Sequence, residues 1–208
     1  VILAIDSSIG TSVALSDTSG RLVAARSETG HLSHAEVIGA LIAGVLDDAA
    51  VGPDAVTAVA SGMGPGPFTG LRIGIAAARA FAVARRVPVV PVLSHDAIAA
   101  ARFDEPRDRP LDEDLVVVTD ARRREVAWSR YSGVDDSGPV RTAGPELALR
   151  EGFDVVEAER FDAVEVPAAF LARLAASTLA GERRPETDDV VYLRAPDVTL
   201  STRKRVTP

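Results

Sequence analysis

VILAIDSSIGTSVALS, residues Val1–Ser16, decides the fold class. Val1–Ile5 is an unbroken aliphatic run ending on Asp6, the pattern of a strand buried on both faces. Ser7–Thr11 is a polar turn, and Ser12–Ser16 starts a second short strand. Asp17–Gly20 is rich in turn formers and leads to a third strand over Arg21–Arg26, so the chain begins as a meander. The pattern then changes. Ser33 with Glu36 makes a capping box for a helix that runs to about Ala50, where Gly52-Pro53 stops it. A strand over Ala55–Ala60, a loop over Ser61–Pro67 and a long helix over Phe68–Arg86 follow. Val87–Val92 is a further strand, and Ser94 caps a helix to Ala101. Strands alternating with helices after an antiparallel start make an α/β arrangement.

Arg102–Asp114 holds nine charged residues and two prolines, the composition of an exposed linker. The expected organisation is therefore an N-terminal lobe over 1–101 and a smaller C-terminal lobe over 102–208. In the second, Leu115–Thr119 and Glu125–Tyr131 read as strands around Asp120–Arg124, while 132–162 mixes weak strand and helix signals. Pro167–Ala180 reads as a helix able to pack back on the first lobe, and Val190–Leu193 as a last strand. The tail Ser201–Pro208, with Arg203-Lys204-Arg205, is expected to fray.

Composition narrows the function classes. With no cysteine among 208 residues, disulfides, zinc ribbons, Fe–S clusters and thiol nucleophiles are excluded. A net charge of −7 argues against this chain holding nucleic acid by itself, since such binders neutralise phosphates with a basic surface. No apolar run reaches the about 18 residues of a membrane span, and Val1–Asp6 lacks the basic region of a signal peptide, so a cytoplasmic location is expected. Alanine supplies 35 residues and aromatics nine, so any close-packed layers are built from small and branched side chains.

Two helices carry too little polar surface. Val37–Leu46 is VIGALIAGVL, and the side opposite Val37, Ile38, Leu41, Ile42 and Val45 consists of Gly39, Ala40, Ala43 and Gly44. A helix lying on a sheet needs an apolar stripe on one side only. The later helix repeats the pattern with IGIAAA between Arg72 and Arg79. Glycine inside a helix costs about 1 kcal/mol relative to alanine, so packing must compensate. A second protein can supply that packing, and so can other parts of this chain; an alanine-rich genome would leave the same pattern.

Other motifs carry less. Ser61–Gly70, SGMGPGPFTG, lacks the Gly-Lys-[Ser/Thr] of a phosphate loop and the third glycine of a dinucleotide loop, which favours a rigid turn aiming the next helix. Asp6 and Asp120 both end strands, where two carboxylates facing across a cleft can hold magnesium and nucleotide phosphates. His31 and His34, with Glu36, fall short of the ligand count of a zinc site, and His95 reads as structural.

ILAIDSSIGTSVAL, SGMGPGPFTGLRIGIAAARAFA, DARRREVAWSRY and VYLRAP, in this order and across most of the chain, resemble the TsaB (YeaZ) family. That resemblance implies a two-lobed actin/Hsp70/sugar-kinase-like (ASKHA) fold with ribonuclease-H-like lobes. The second lobe reads as shortened, because no glycine-rich turn is found between Arg150 and Pro167. It implies a non-catalytic subunit, with no cofactor or metal of its own, needed for threonylcarbamoyl transfer to the adenosine next to the anticodon. Its implied partners are a TsaD-like catalytic subunit and a TsaE-like ATPase, in which ATP or ADP and metal are expected, and a second copy of itself when alone. Contact with tRNA is then indirect. Candidate partner contacts are Val37, Leu41, Arg72, Ile73 and Ala76, with His34 at the rim. Asp6, Ser7, Gly64, Gly66 and Asp120 are the candidate nucleotide or phosphate contacts of the rival reading, an ATP-dependent phosphotransferase or ATPase. Pro67 stands where the family usually has serine, which removes a helix cap or phosphate contact. A metallopeptidase reading is weaker still, for want of a third ligand.

Overall fold

The aliphatic run at the start of the chain becomes the centre of a sheet covered on both faces. The structure, a computed structural model, describes residues 1–29, 34–106 and 114–194. β1 (Ile2–Asp6), β2 (Thr11–Ser16) and β3 (Leu22–Glu28) form the antiparallel meander. β4 (Ala58–Gly62) and β5 (Val89–Val92) join parallel on the other side, giving the order β3-β2-β1-β4-β5.

Alternate residues of a strand point to opposite faces, and this alternation sorts the layers. Leu3, Ile5, Val13, Leu15 and Val59 pack with Ile38, Val45 and Leu46 of α1 (His34–Asp48) and Ala78 and Ala82 of α2 (Phe68–Arg85). Ile2, Ala4, Ala14, Ala58 and Ala60 share a second cluster with Ala97 and Ile98 of α3 (Ser94–Asp104) and Leu171, Ala172 and Ala175 of α4 (Ala168–Leu179). Much of the alanine is spent in this second layer, where small side chains on sheet and helix let the two pack closely.

The same cluster runs on to Leu115, Val117 and Tyr131 of a second sheet. That sheet contains β6 (Asp114–Asp120), β7 (Glu125–Asp135), β8 (Gly138–Leu149) and β9 (Ala158–Asp162) in the order β8-β7-β6-β9. β9 pairs parallel with β6, and the other pairs are antiparallel. Two sheets with flanking helices make the two-lobed α/β fold.

Several expectations need correction. Residues 102–104 continue α3 and Asp114 already belongs to β6, so both ends of the expected linker are regular structure; 107–113 lie outside the described residues. The strand expected from Ala55 starts at Ala58, because Pro53–Ala55 forms a short 3-10 turn. The ambiguous stretch 132–162 is the end of β7 followed by β8 and β9. Val190–Leu193 is not a ladder strand: it runs beside the Ser61–Pro67 loop, with Val191 N–H donating to Met63 O over 2.9 Å. Ser94 is not an N-cap, since Leu93 occupies that place and the Ser94 hydroxyl is engaged elsewhere. Gly44, expected on the outer side of α1, is buried. Ser33, His31 and the tail 201–208 lie outside the described residues.

Candidate functional site

Two neighbouring regions collect the singled-out residues. The first is interior. Asp6 ends β1 and is 1% exposed. Its carboxylate accepts from Ser94 Oγ at 2.5 Å, Ser8 N at 2.7 Å and Ser8 Oγ at 3.2 Å. Burial raises its pKa above the ordinary carboxylate value, opposed by the Ser94 and Ser8 hydrogen bonds. Ser7 Oγ donates to Gly70 O at 2.7 Å and accepts from Gly74 N at 3.1 Å. Those two backbone groups are four residues apart and would bond each other in a regular helix, so the hydroxyl is inserted into the first turns of α2.

The glycine loop is shaped by this turn. A Cβ at Gly62 would meet the Asp6 carboxylate, one at Gly74 the Ser7 hydroxyl, and one at Gly66 would lie 2.8 Å from Ser8 Cα. Gly64 N donates to Ser94 Oγ at 3.1 Å, and Gly64 O accepts from Ser94 N at 2.8 Å. Asp6, Ser7 and Gly64 thus spend their hydrogen-bonding capacity on one another's elements. Asp120 is exposed and ion-paired with Arg150. The loop is the rigid turn favoured by its composition, and its glycines answer to close backbone approach.

A second interior network was not visible in the sequence. His95 is fully buried, with Nδ1 2.9 Å from Ser129 Oγ and Nε2 3.0 Å from Thr119 Oγ1. Burial, with the Arg141 charge second, pushes its pKa down to about 3, so it is neutral. Asp96 accepts from Tyr131 Oη at 2.8 Å, Arg141 Nη1 at 3.2 Å and Arg183 Nη2 at 2.5 Å. This cluster ties the segment after α4 to the second sheet.

The other region is the outer surface of α1 and α2. Leu41 and Ile73 are half-buried against the cluster beneath the two helices, so they belong in large part to this chain's own core. Val37 is half-buried, and His34 is the first residue of α1. Ala76 and Arg72 are exposed. The exposed surface of the two helices includes Gly39, Ala40 and Ala43 on α1 and Arg79, Ala80 and Val83 on α2, with Val83 77% exposed. A Cβ built at Gly39 meets nothing within 4 Å. At Gly44, by contrast, a Cβ would strike the Arg26 guanidinium, whereas at Gly39 none of the described residues fills the space.

The stretch 188–194, which includes the first four residues of the VYLRAP motif, is brought to this edge. Tyr192 lies 4.8 Å from the Phe68 ring, Asp188 pairs with Arg79 at 2.9 Å, and Arg194 pairs with Glu125 of the second-sheet hairpin. Among the described residues no group of three or more His, Cys, Asp or Glu is placed to hold a metal ion, and no helix is long and apolar enough to cross a membrane.

Comparison with known proteins agrees with this geometry. The family model described as "TsaD: tRNA N6-adenosine threonylcarbamoyltransferase" matches residues 28–168. A crystal structure of a Pseudomonas aeruginosa protein with similarity to peptidase YeaZ superposes with a TM-score of 0.75 at 27% identity, covering 93% of this chain and 99% of that one. The chain belongs to the TsaB/YeaZ branch of the TsaD family. YeaZ from Pseudomonas aeruginosa gives a TM-score of 0.71 at 28% identity over 87% of this chain and 94% of its own. An uncharacterized protein of Mycobacterium tuberculosis is 37% identical over 172 residues, 79% of this chain and 77% of the relative. The Haemophilus influenzae tRNA threonylcarbamoyladenosine biosynthesis protein TsaB is 34% identical over 103 residues, 50% of this chain and 42% of its own. With the TsaB/YeaZ branch comes its two-lobed ASKHA-type fold.

Proposed function

We propose that this chain is the non-catalytic partner subunit for threonylcarbamoyl transfer to the adenosine next to the anticodon of tRNAs, and that it binds and activates a TsaD-like catalytic subunit. The observation that carries the docking surface is the exposed, small and apolar outer face of α1 and α2, with the space at Gly39 open. Small residues let a partner helix approach at backbone distance, and burying such a face on association is favourable. Family membership supports the partner; the geometry supports the place. Ala76 and Arg72 are the direct contacts, the half-buried Val37 adds to them, Leu41 and Ile73 support the face from below, and His34, at the start of α1, is the proposed rim contact.

The same reading extends to a TsaE-like ATPase joining the assembly, a homodimer through this face when the chain is alone, and action in the cytoplasm with tRNA held by the partners. Residues 1–101 then form the docking lobe and 102–208 the smaller one. The ATPase rival needs Asp6, Ser7, Gly64 and Gly66 to meet phosphates or their metal, and the polar groups of Asp6, Ser7 and Gly64 are already hydrogen-bonded within the chain. Asp120 is paired with Arg150.

The test mixes the chain with the TsaD-like subunit and measures binding and tRNA modification for wild type and Ala76→Glu. The variant is expected to fold normally and lose both. A folded Ala76→Glu protein that binds and activates as wild type overturns the reading. Substantial ATP turnover by the chain alone, lost in Asp6→Asn, establishes the rival instead.

A further inference from the structure

The outer face of α2 carries two arginines, Arg72 and Arg79, about two turns apart on the same side, and they are treated differently. Arg79 spends its charge inside the chain, on the Asp188 carboxylate at 2.9 Å and the Asp188 carbonyl at 3.3 Å. Arg72 is exposed, yet held. Its guanidinium carbon lies 3.8 Å from the centroid of the Phe68 ring, and its Nε donates to Tyr192 Oη at 3.3 Å. Phe68 and Tyr192 are themselves in ring contact at 4.8 Å and 41°. No acidic side chain of the described residues pairs with Arg72, and its terminal Nη groups have no acceptor there.

Stacking on one ring and a hydrogen bond to another fix both the position and the plane of the fork. A guanidinium so fixed still offers paired N–H donors, which match a carboxylate bidentately. Ordering the side chain in advance removes part of the entropy cost of association. Arg72 also lies one turn from Ala76 along the same exposed stripe, so the fork stands at the rim of the small-residue face. At such a rim a charged pair sets register and orientation.

We propose that Arg72 is a preset anchor for a carboxylate, an Asp or Glu side chain of the TsaD-like partner docked on the α1–α2 face. Tyr192 is its positioning residue. The inference rests on the docking reading above and adds the chemistry of the opposing group. It also gives the segment after α4 a role: tied down by Arg183 to Asp96, by Asp188 to Arg79 and by Val191 to Met63, it delivers the Tyr192 hydroxyl to Arg72.

The experiment titrates the full chain into the TsaD-like subunit by calorimetry at two salt concentrations. Arg72→Met keeps an apolar stem against Phe68 and removes the fork; it is expected to weaken Kd on the order of 10- to 100-fold. Tyr192→Phe keeps the ring contact and should weaken Kd about threefold, and nothing further once Arg72 is already Met. Raising salt should weaken wild type more steeply than Arg72→Met. Melting temperatures should stay unchanged, since both side chains are at the surface. Arg72→Met binding like wild type, while Ala76→Glu abolishes binding, overturns the anchor and leaves the docking reading standing. A charge dependence that appears only when tRNA is added identifies phosphate as the acceptor and also overturns it. Failure of wild type itself to bind overturns the docking reading and the anchor together.

Discussion

Gly62, Gly66 and Gly74 differ from Gly39 in one respect that separates the interior of this molecule from its working surface. The first three lack a side chain because Asp6, Ser8 and Ser7 occupy the space where a Cβ would go. Gly39 lacks one with none of the described residues in the way. An interior glycine is explained by the fold. An exposed mid-helix glycine carries a cost of about 1 kcal/mol relative to alanine, and the proposed docking partner accounts for it. The alanines divide likewise: Ala4, Ala14, Ala58 and Ala60 meet α4 inside, whereas Ala40, Ala43, Ala76 and Ala80 face outward.

The sharpest way to break the comparison is to add a methyl group on each side of it. Gly62→Ala forces a Cβ onto the buried Asp6 carboxylate and should destabilise the chain by about 3 kcal/mol in urea denaturation. Gly74→Ala should cost about 2 kcal/mol, partly recovered when Ser7→Ala removes the hydroxyl it strikes. An unchanged midpoint for Gly62→Ala would mean that the turn and loop do not touch as described.

The interior also has a pH signature, of intermediate size. His95 titrates near 6.5 when unfolded and near 3 when folded, so the unfolded chain binds the proton first. Its contribution to stability is whole above about pH 6.5 and is lost as pH falls toward 3, at about 1.4 kcal/mol per pH unit. About 2 kcal/mol should be gone at pH 5. Asp6 and Asp96, whose pKa values burial raises, bias the total the other way. The measurement is therefore the difference between wild type and His95→Gln, which keeps a neutral hydrogen-bonding group. A difference independent of pH from 7 to 5 would contradict the buried, neutral imidazole.

The smallest effect lies on the surface and has the opposite sign. Gly39→Ala should stabilise the free chain by about 0.5–1 kcal/mol, read as a raised melting temperature, while weakening affinity for the TsaD-like subunit. Stabilisation with unchanged affinity would show that no partner backbone comes close there.

What was legible in the sequence was local. Asp17–Gly20, Gly52-Pro53 and the Ser61–Pro67 loop punctuate the chain strongly, and the meander, α1 and α2 follow from them with ends shifted by a few residues. β8 and β9 were hidden because most of their residues are half-exposed, which erases a clean alternation. Val190–Leu193 has strand composition but spends it on the loop beside Met63. Ser94 looked like a cap because its true acceptor, Asp6, is 88 residues away. The same distance hid the Asp96 cluster and the joining of Phe68, Arg72 and Tyr192. The only sequence trace of that joining is that its members fall in two of the motif segments carrying the family resemblance. The polar-poor character of α1 and α2 was plain, whereas which residues turn inward was not: Leu41 and Ile73 largely serve the core, and Gly39 and Ala76 face out.

Hydrogen exchange of the chain with and without the TsaD-like subunit tests the central claim most directly. The account predicts added protection concentrated in α1 and α2, over residues 35–47 and 68–84, with β3 and α4 unchanged. Protection falling on β3 and α4 while α1 and α2 exchange as in the free chain would contradict it.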